Sequence, residues 1–127
     1  MNLQFLRIWA GDDGETHINP VPPDLKQVEG YTANVPVVGV SGLGPVQESH
    51  LLNLPAGWVG DYHPSPRRQL MAQLTGRVRV QASDGATVDA GPGTLWLVED
   101  VAGKGHHTTV TSAEDAMFFV ATAEQEA

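Results

Sequence analysis

Fourteen glycines and nine prolines divide this 127-residue chain into short apolar segments, one roughly every eight to twelve residues, which is the sequence habit of an antiparallel sandwich or barrel. Helix has little room between such breaks. The chain is therefore expected to be all-β, with about eight to ten short strands. At 127 residues it is one domain by length, large enough to bury roughly two-thirds of its extended-chain surface around a single core.

Residues 3–10 read as a first strand, Gly11-Asp12-Asp13-Gly14 as a four-residue turn and residues 15–18 as the return, an N-terminal β-hairpin. Asn19-Pro20-Val21-Pro22-Pro23 is expected to be an extended connector outside any sheet interior, because three prolines lack the ladder donor. Residues 24–29 are ambiguous, residues 31–40 lean to β but are broken by Pro36, and residues 41–45 form a loop. Residues 47–54 alternate as a strand that ends at Pro55-Ala56-Gly57. Residues 68–74 and 77–81 are expected to pair as a hairpin through Thr75-Gly76, the second with period two: Val78 and Val80 against Arg77, Arg79 and Gln81. After residues 87–90 comes the apolar run 94–98, expected to be covered on both sides. A polar loop at 99–105 leads to strands at 106–111 and 115–121. The single domain thus divides into residues 1–46, which pack on the barrel or on a partner subunit, a barrel core at 47–121, and a tail at 122–127 whose last four residues fray.

Composition removes several function classes. There is no cysteine, hence no disulfide framework, thiolate metal site or cysteine nucleophile. Fifteen acidic against seven basic residues give a formal charge of −8, which works against a phosphate backbone, so no nucleic-acid partner is expected. No run of five like charges occurs, and the charge reads as a solvated surface. The start of the chain is interrupted by Gln4 and Arg7 and is too short in apolar run for a signal peptide or membrane span, so no membrane association and a cytoplasmic location are expected. Lys104, between Gly103 and Gly105, lacks the upstream glycine and the following Ser or Thr of a phosphate loop.

The most informative spacing lies in residues 57–76, GWVGDYHPSPRRQLMAQLTG. In extended chain His63, Ser65, Arg67, Gln69 and Met71 share one face, while Tyr62, Arg68 and Leu70 share the other. The stretch resembles the first motif of the cupin family, G-x5-H-x-H-x3-E-x6-G, and fits it in length throughout, with Ser65 in place of the second His and Gln69 in place of the Glu. A second cupin motif, G-x5-P-x-G-x2-H-x3-N, has a looser partner beginning at Gly93. There Gly103 and His106 align, the segment before Gly103 is two residues longer, the Pro is absent and Val110 stands where Asn belongs. The likeness covers roughly the second half of the chain. It implies a cupin-type jelly-roll β-barrel, in which His63, Gln69 and His106 occupy metal-ligand positions and Ser65 the slot of a missing fourth.

Two imidazoles suit Zn, Fe, Mn, Ni, Co or Cu, but an amide in place of a carboxylate removes the anionic arm that offsets the ion's charge. One divalent transition metal and a metal-free cavity both remain open. His63, Arg67 and His106 are the candidate catalytic groups. An inward Arg67 needs an anionic partner, in the fold or on a substrate, while the prolines before it can turn it to the surface. Gln69 either holds the metal or anchors a strand. Ser65, between Pro64 and Pro66, reads as a stiff turn residue, with no triad spacing to make it a nucleophile. Trp58 and Tyr62 line the mouth or simply pack. His107 is expected to point away from His106 and be exposed, and His17 and His50 to lie at surface or edge. Glu99 and Asp100 fall in the lengthened loop, where a solvated role outweighs a proton acceptor at the cavity mouth.

Two function classes follow. One is a small enzyme performing proton-transfer or Lewis-acid chemistry, of the isomerase, lyase, decarboxylase or cyclase type, on a small oxygenated molecule. Dioxygen chemistry fits the depleted ligand set less well. The other is a non-catalytic module that binds a small molecule in the same pocket. A homodimer is expected from the need to manage exposed sheet edges.

Overall fold

The structure, a computed structural model, describes residues 5–123. Two sheets face each other across the core. The larger has six strands in the order β2 (Thr16–Val21), β1 (Phe5–Ala10), β9 (Leu95–Val98), β6 (Gln69–Gln73), β11 (Ala116–Ala123) and β5 (Val46–Leu54). The smaller runs β10 (His106–Val110), β7 (Val78–Ala82), β8 (Thr87–Ala90), and a separate ribbon pairs β3 (Lys26–Val28) with β4 (Val38–Val40). No helix interrupts the described residues, and none of them forms a helix long and apolar enough to cross a membrane. The architecture is an all-β jelly roll.

Period-two alternation builds the core. On β7, Val78, Val80 and Ala82 are buried while Arg79 is exposed, and the inward residues Trp96, Val98, Phe118 and Val120 of β9 and β11 meet them from the other sheet. One polar side chain joins this layer. Gln73, 2% exposed, donates to the carbonyl oxygens of Gly76 (3.1 Å) and Ala90 (3.2 Å) and accepts from Trp96 Nε1 (3.1 Å). Its amide is fully used, so it costs the core no unpaired group.

The N-terminal hairpin forms, and it extends the large sheet of its own chain, β1 lying parallel to β9 and antiparallel to β2. Its return strand is longer than expected, however, running through Pro20 to Val21. Because β2 is the sheet edge, a missing donor there need not break a ladder. The segments at 24–29 and 31–40 contribute the short ribbon. The expected hairpin through Thr75-Gly76 is not one: β6 pairs with β9 and β11, β7 with β8 and β10. The chain turns a corner between sheets at Gly76 (φ 72°), where a Cβ would collide with the backbone of Asp115 and Ala116. Alternation looks alike in a hairpin and in two strands facing across a core, so period alone did not separate them. β9 is covered fully only on its inner side, since Leu95 and Leu97 are half-buried on the other. β11 continues to Ala123, beyond the expected end at 121, and the frayed end expected at 124–127 lies outside the described residues.

One ion-pair cluster ties three strands together. Glu99, just after β9, receives Arg7 Nε of β1 at 2.6 Å and Arg68 Nη2, just before β6, at 2.6 Å. Burial pushes its carboxyl up, but the hydrogen bonds and charges of Arg7 and Arg68 outweigh it and hold it below its ordinary value of 4.5. A depressed carboxylate contributes stability above its unfolded pKa and loses it as pH falls through the folded one. Glu99→Gln should therefore be destabilised by about 1 kcal/mol at neutral pH, with the gap to the parent closing as pH drops below 4.5. Urea midpoints measured across that range test this, and a gap that persists in acid would show that Glu99 acts by packing.

Candidate functional site

The site is assembled by a long loop that behaves like a ragged extra strand. After β5 the chain reverses at Pro55, where Trp58 N–H donates to its carbonyl (3.0 Å) across Gly57 (φ 80°). Residues 58–63 then run antiparallel to β10. Val110 N–H donates to Trp58 O (2.8 Å), Gly60 N–H to Thr108 O (2.9 Å), and His63 and His106 exchange backbone bonds of 3.1 and 3.2 Å. His63 is thus set directly opposite His106, forty-three positions later in the sequence by subtraction of their numbers, with ring centroids 5.6 Å apart.

Both rings lie at one end of a cavity of about 190 Å³ between the sheets. Ser65, Gln69 and Thr108 complete its polar end. The remaining wall is apolar or aromatic: Leu52 and Leu54 from β5, Val78 and Val80 from β7, and the rings of Trp58, Trp96 and Phe118. No Lys, Arg, Asp or Glu lines it. Of these lining residues His63 is exposed, Leu52, Leu54 and Trp58 are half-buried, and Ser65, Trp96 and His106 are buried.

The partners of the two imidazoles decide their tautomers. His63 Nδ1 lies 2.9 Å from the Pro64 carbonyl oxygen, which can only accept, so Nδ1 carries the proton and Nε2 keeps its lone pair. His106 Nδ1 lies 2.6 Å from Asp100 Oδ2. Asp100 is wholly buried and its Oδ1 has no hydrogen-bond partner. An unpaired carboxylate in that position would cost several kcal/mol, roughly; the imidazole N–H is its compensation. His106 therefore also presents Nε2. The loop carrying Asp100 is pinned to the first motif, since Ser65 N–H donates to Asp100 O (2.8 Å).

His63, Gln69 and His106 are brought together, and Ser65 sits beside them as a loop-fixing residue, its hydroxyl donating to Arg67 O (2.5 Å) and accepting from Gln69 Nε2 (3.3 Å). Arg67 is not in the cavity. Its guanidinium lies 3.5 Å from Gln47 Oε1 and 4.0 Å from Glu48, with the side chain 43% exposed. The expected parity fails because the strand begins only at Gln69 and the Pro64-Ser65-Pro66 turn breaks alternation before it. Trp58 lines the cavity. Tyr62 instead packs edge-on against His107 at 4.6 Å, on the far side of β10, and His107 is half-buried rather than exposed, 3.2 Å from Gln81 Oε1. His50 is exposed on the β5 edge, whereas His17 is clamped between Asp84 (2.7 Å) and Asp13 (3.3 Å). Asp100 is the residue that sequence reasoning undervalued; position −6 from a motif histidine gave no signal that it turns inward. Among the described residues no three His, Cys, Asp or Glu side chains converge as a metal site, and the candidate set is two His with the amide of Gln69.

The fold is that of a cupin domain. Among solved structures, the Cnp3 cupin domain of Schizosaccharomyces pombe superposes with a TM-score of 0.52 at 13% identity, over 98% of this chain and 90% of that one. Two further matches are the conserved SPY1581 protein of unknown function from Streptococcus pyogenes (TM-score 0.45, 17% identity, 61% of this chain) and protein NMB1881 from Neisseria meningitidis (0.44, 15%, 59% of this chain and 72% of that one). The superposition spans 65% of the S. pyogenes chain, just under two thirds of it. No protein-family model matches the sequence, and neither does any curated protein. What the comparison carries is the cupin fold.

Proposed function

We propose that the barrel is a small cupin enzyme that moves a proton on a small oxygenated molecule, in a reaction of the isomerase, lyase, decarboxylase or cyclase type. The observation that carries this reading is the buried Asp100–His106 pair, in which Nδ1 is held 2.6 Å from the carboxylate while the ring lines the cavity, leaving Nε2 as the nitrogen not engaged by Asp100. An imidazole fixed in that tautomer is a general base ready for a C–H or O–H proton next to a carbonyl. His63, opposite it, offers a second lone pair, and Gln69 can hold the substrate oxygen through its amide.

The same tautomers suit a metal. Ligating imidazoles donate their other N–H to a carboxylate or backbone carbonyl, as His106 and His63 do here to Asp100 and Pro64. His63 Nε2, His106 Nε2 and Gln69 Oε1 would hold one borderline divalent ion, with no anionic arm from the protein among them. Such an ion, when bound, polarises a carbonyl oxygen and stabilises the enolate that forms from it.

Elemental mass spectrometry of protein purified without a metal-affinity step should find near one equivalent of a transition metal, lost in His106→Ala and in His63→Ala. Metal absent from all three samples would sink the ligand assignment and leave proton transfer to the His106–Asp100 pair alone. The proton-transfer reading has its own test, exchange of α-protons of small ketones into D2O followed by NMR. His106→Gln should abolish it, and exchange equal in parent and variant would overturn the assignment of His106 as base.

A further inference from the structure

We infer that the molecule this cavity takes is compact and uncharged, a single ring or short branched chain of roughly eight to ten non-hydrogen atoms with one oxygen head group. The inference rests on the proposed function for the position of the head group, and otherwise on the cavity walls alone. Size comes first. A dry apolar cavity of about 150 Å³ takes benzene, and this one has about 190 Å³. A naphthalene ring carrying an amide, a nucleotide or a disaccharide exceeds it.

Charge is decided by what lines the walls. All seven Lys and Arg side chains stand outside: Arg7 and Arg68 on Glu99, Arg79 on Asp89, Lys104 on Glu15, Arg67 toward Gln47 and Glu48, with Lys26 and Arg77 also absent from the lining. A substrate carboxylate or phosphate would meet no Lys or Arg there, only the imidazoles of His63 and His106, whose Nδ1–H groups are already given to Pro64 and Asp100, and would enter at a large desolvation cost. Polarity is equally one-sided. Val78, Val80, Val98, Ile8 and Phe118 offer the apolar wall no donor or acceptor, and the one polar atom of Trp96 is spent on Gln73. Each hydroxyl driven against that wall would lower affinity about tenfold or more, which excludes sugars and other polyols. The aromatic rings of Trp58, Trp96 and Phe118 favour a planar body, and an oxygen can be received only beside His63, Ser65, Gln69, His106 and Thr108.

Benzamide and benzoate share a shape and differ in charge, while 2-naphthamide adds a ring and glucose adds hydroxyls. Calorimetric titration at pH 7.5 of these four probes, into protein as purified and after dialysis against a chelator, should find benzamide bound at least tenfold more tightly than each of the others in both samples. Leu52→Trp, which fills the cavity from the half-buried edge strand, should weaken benzamide at least tenfold with its circular dichroism unchanged; Met71→Phe serves if that variant does not fold. Failure of benzamide to bind, benzoate bound as tightly in either sample, or 2-naphthamide or glucose bound as tightly would each overturn the inference. Selectivity as stated, alongside ketone exchange that never appears, would keep the substrate class and remove the proton-transfer reading. Exchange lost in His106→Gln without that selectivity would do the reverse.

Discussion

Gly105→Ala should destabilise the protein by about 3–5 kcal/mol, the largest loss expected from a Cβ added at any of the glycines. Two terms add. Gly105 has φ 85°, a conformation that costs an L side chain about 1–2 kcal/mol. Its α-carbon also sits against the backbone where His63 joins Pro64, so a Cβ would fall on the His63 carbonyl group, closer than non-bonded atoms can approach. Backbone cannot swing aside as a side chain would. Relief requires opening the His63–His106 bridge, and Gly105 N–H would then also lose Thr16 Oγ1 at 2.9 Å. Gly85→Ala is the internal control: φ is 94° and nothing lies within 4 Å of the added atom, so only the conformational term remains. Urea denaturation of both variants separates the terms. A Gly105→Ala loss no larger than that of Gly85→Ala would mean that the two motif loops are not held as closely as the structure places them.

That close approach explains what the sequence could and could not convey. Motif spacing measures loop length, so the run from Gly57 to Gly76 was enough to put His63, Ser65 and Gln69 at one end of a barrel despite two changed ligand letters. The all-β class was legible separately, because frequent Gly and Pro along the whole chain leave room only for short strands. Spacing does not report which way a side chain turns where the strand has not yet begun. Arg67 was left between an inward place by alternation and a surface place set by the prolines before it, and the second holds, because alternation starts only at Gln69 and Pro64 and Pro66 keep it from reaching further back. Asp100 failed in the opposite sense. An acidic residue in a Gly-containing loop reads as solvated, and its burial depends on two partners that no local pattern reveals, the Ser65 N–H and the His106 imidazole. The corner at Gly76 is a third case, in which the same alternation serves a hairpin and a sheet-to-sheet crossing. Chemistry at this site is written in non-local hydrogen bonds, and those are what a linear reading lacks.

Asp100→Asn should change the site most while changing the fold least. The substitution keeps size and shape, and it exchanges a buried carboxylate, one of whose oxygens has no partner, for a neutral amide; stability should move by no more than about 1 kcal/mol. The tautomer of His106 is where the effect lies. Facing a carboxylate, Nδ1 must be the donor, which leaves the Nε2 lone pair for the cavity. An asparagine can turn its NH2 toward Nδ1, and the imidazole then carries its proton on Nε2, where it can neither accept a substrate proton nor ligate an ion. Proton exchange should fall about 10²- to 10⁴-fold, and metal affinity about 10- to 100-fold. Long-range 1H–15N NMR of His106 reads the cause directly and needs no substrate: Nδ1–H in the parent and Nε2–H in the variant. His106→Gln, which lacks an imidazole altogether, sets the floor for the exchange assay. If the variant keeps the Nδ1–H tautomer and loses activity regardless, the charge of Asp100 rather than its hydrogen bond is what the site uses, and Asp100→Glu, which restores charge without the 2.6 Å contact, should then recover part of it. If tautomer and exchange rate are both unchanged, Asp100 is a structural anchor for the loop before β10 and the base lies elsewhere in the cavity, with His63 the remaining imidazole to test.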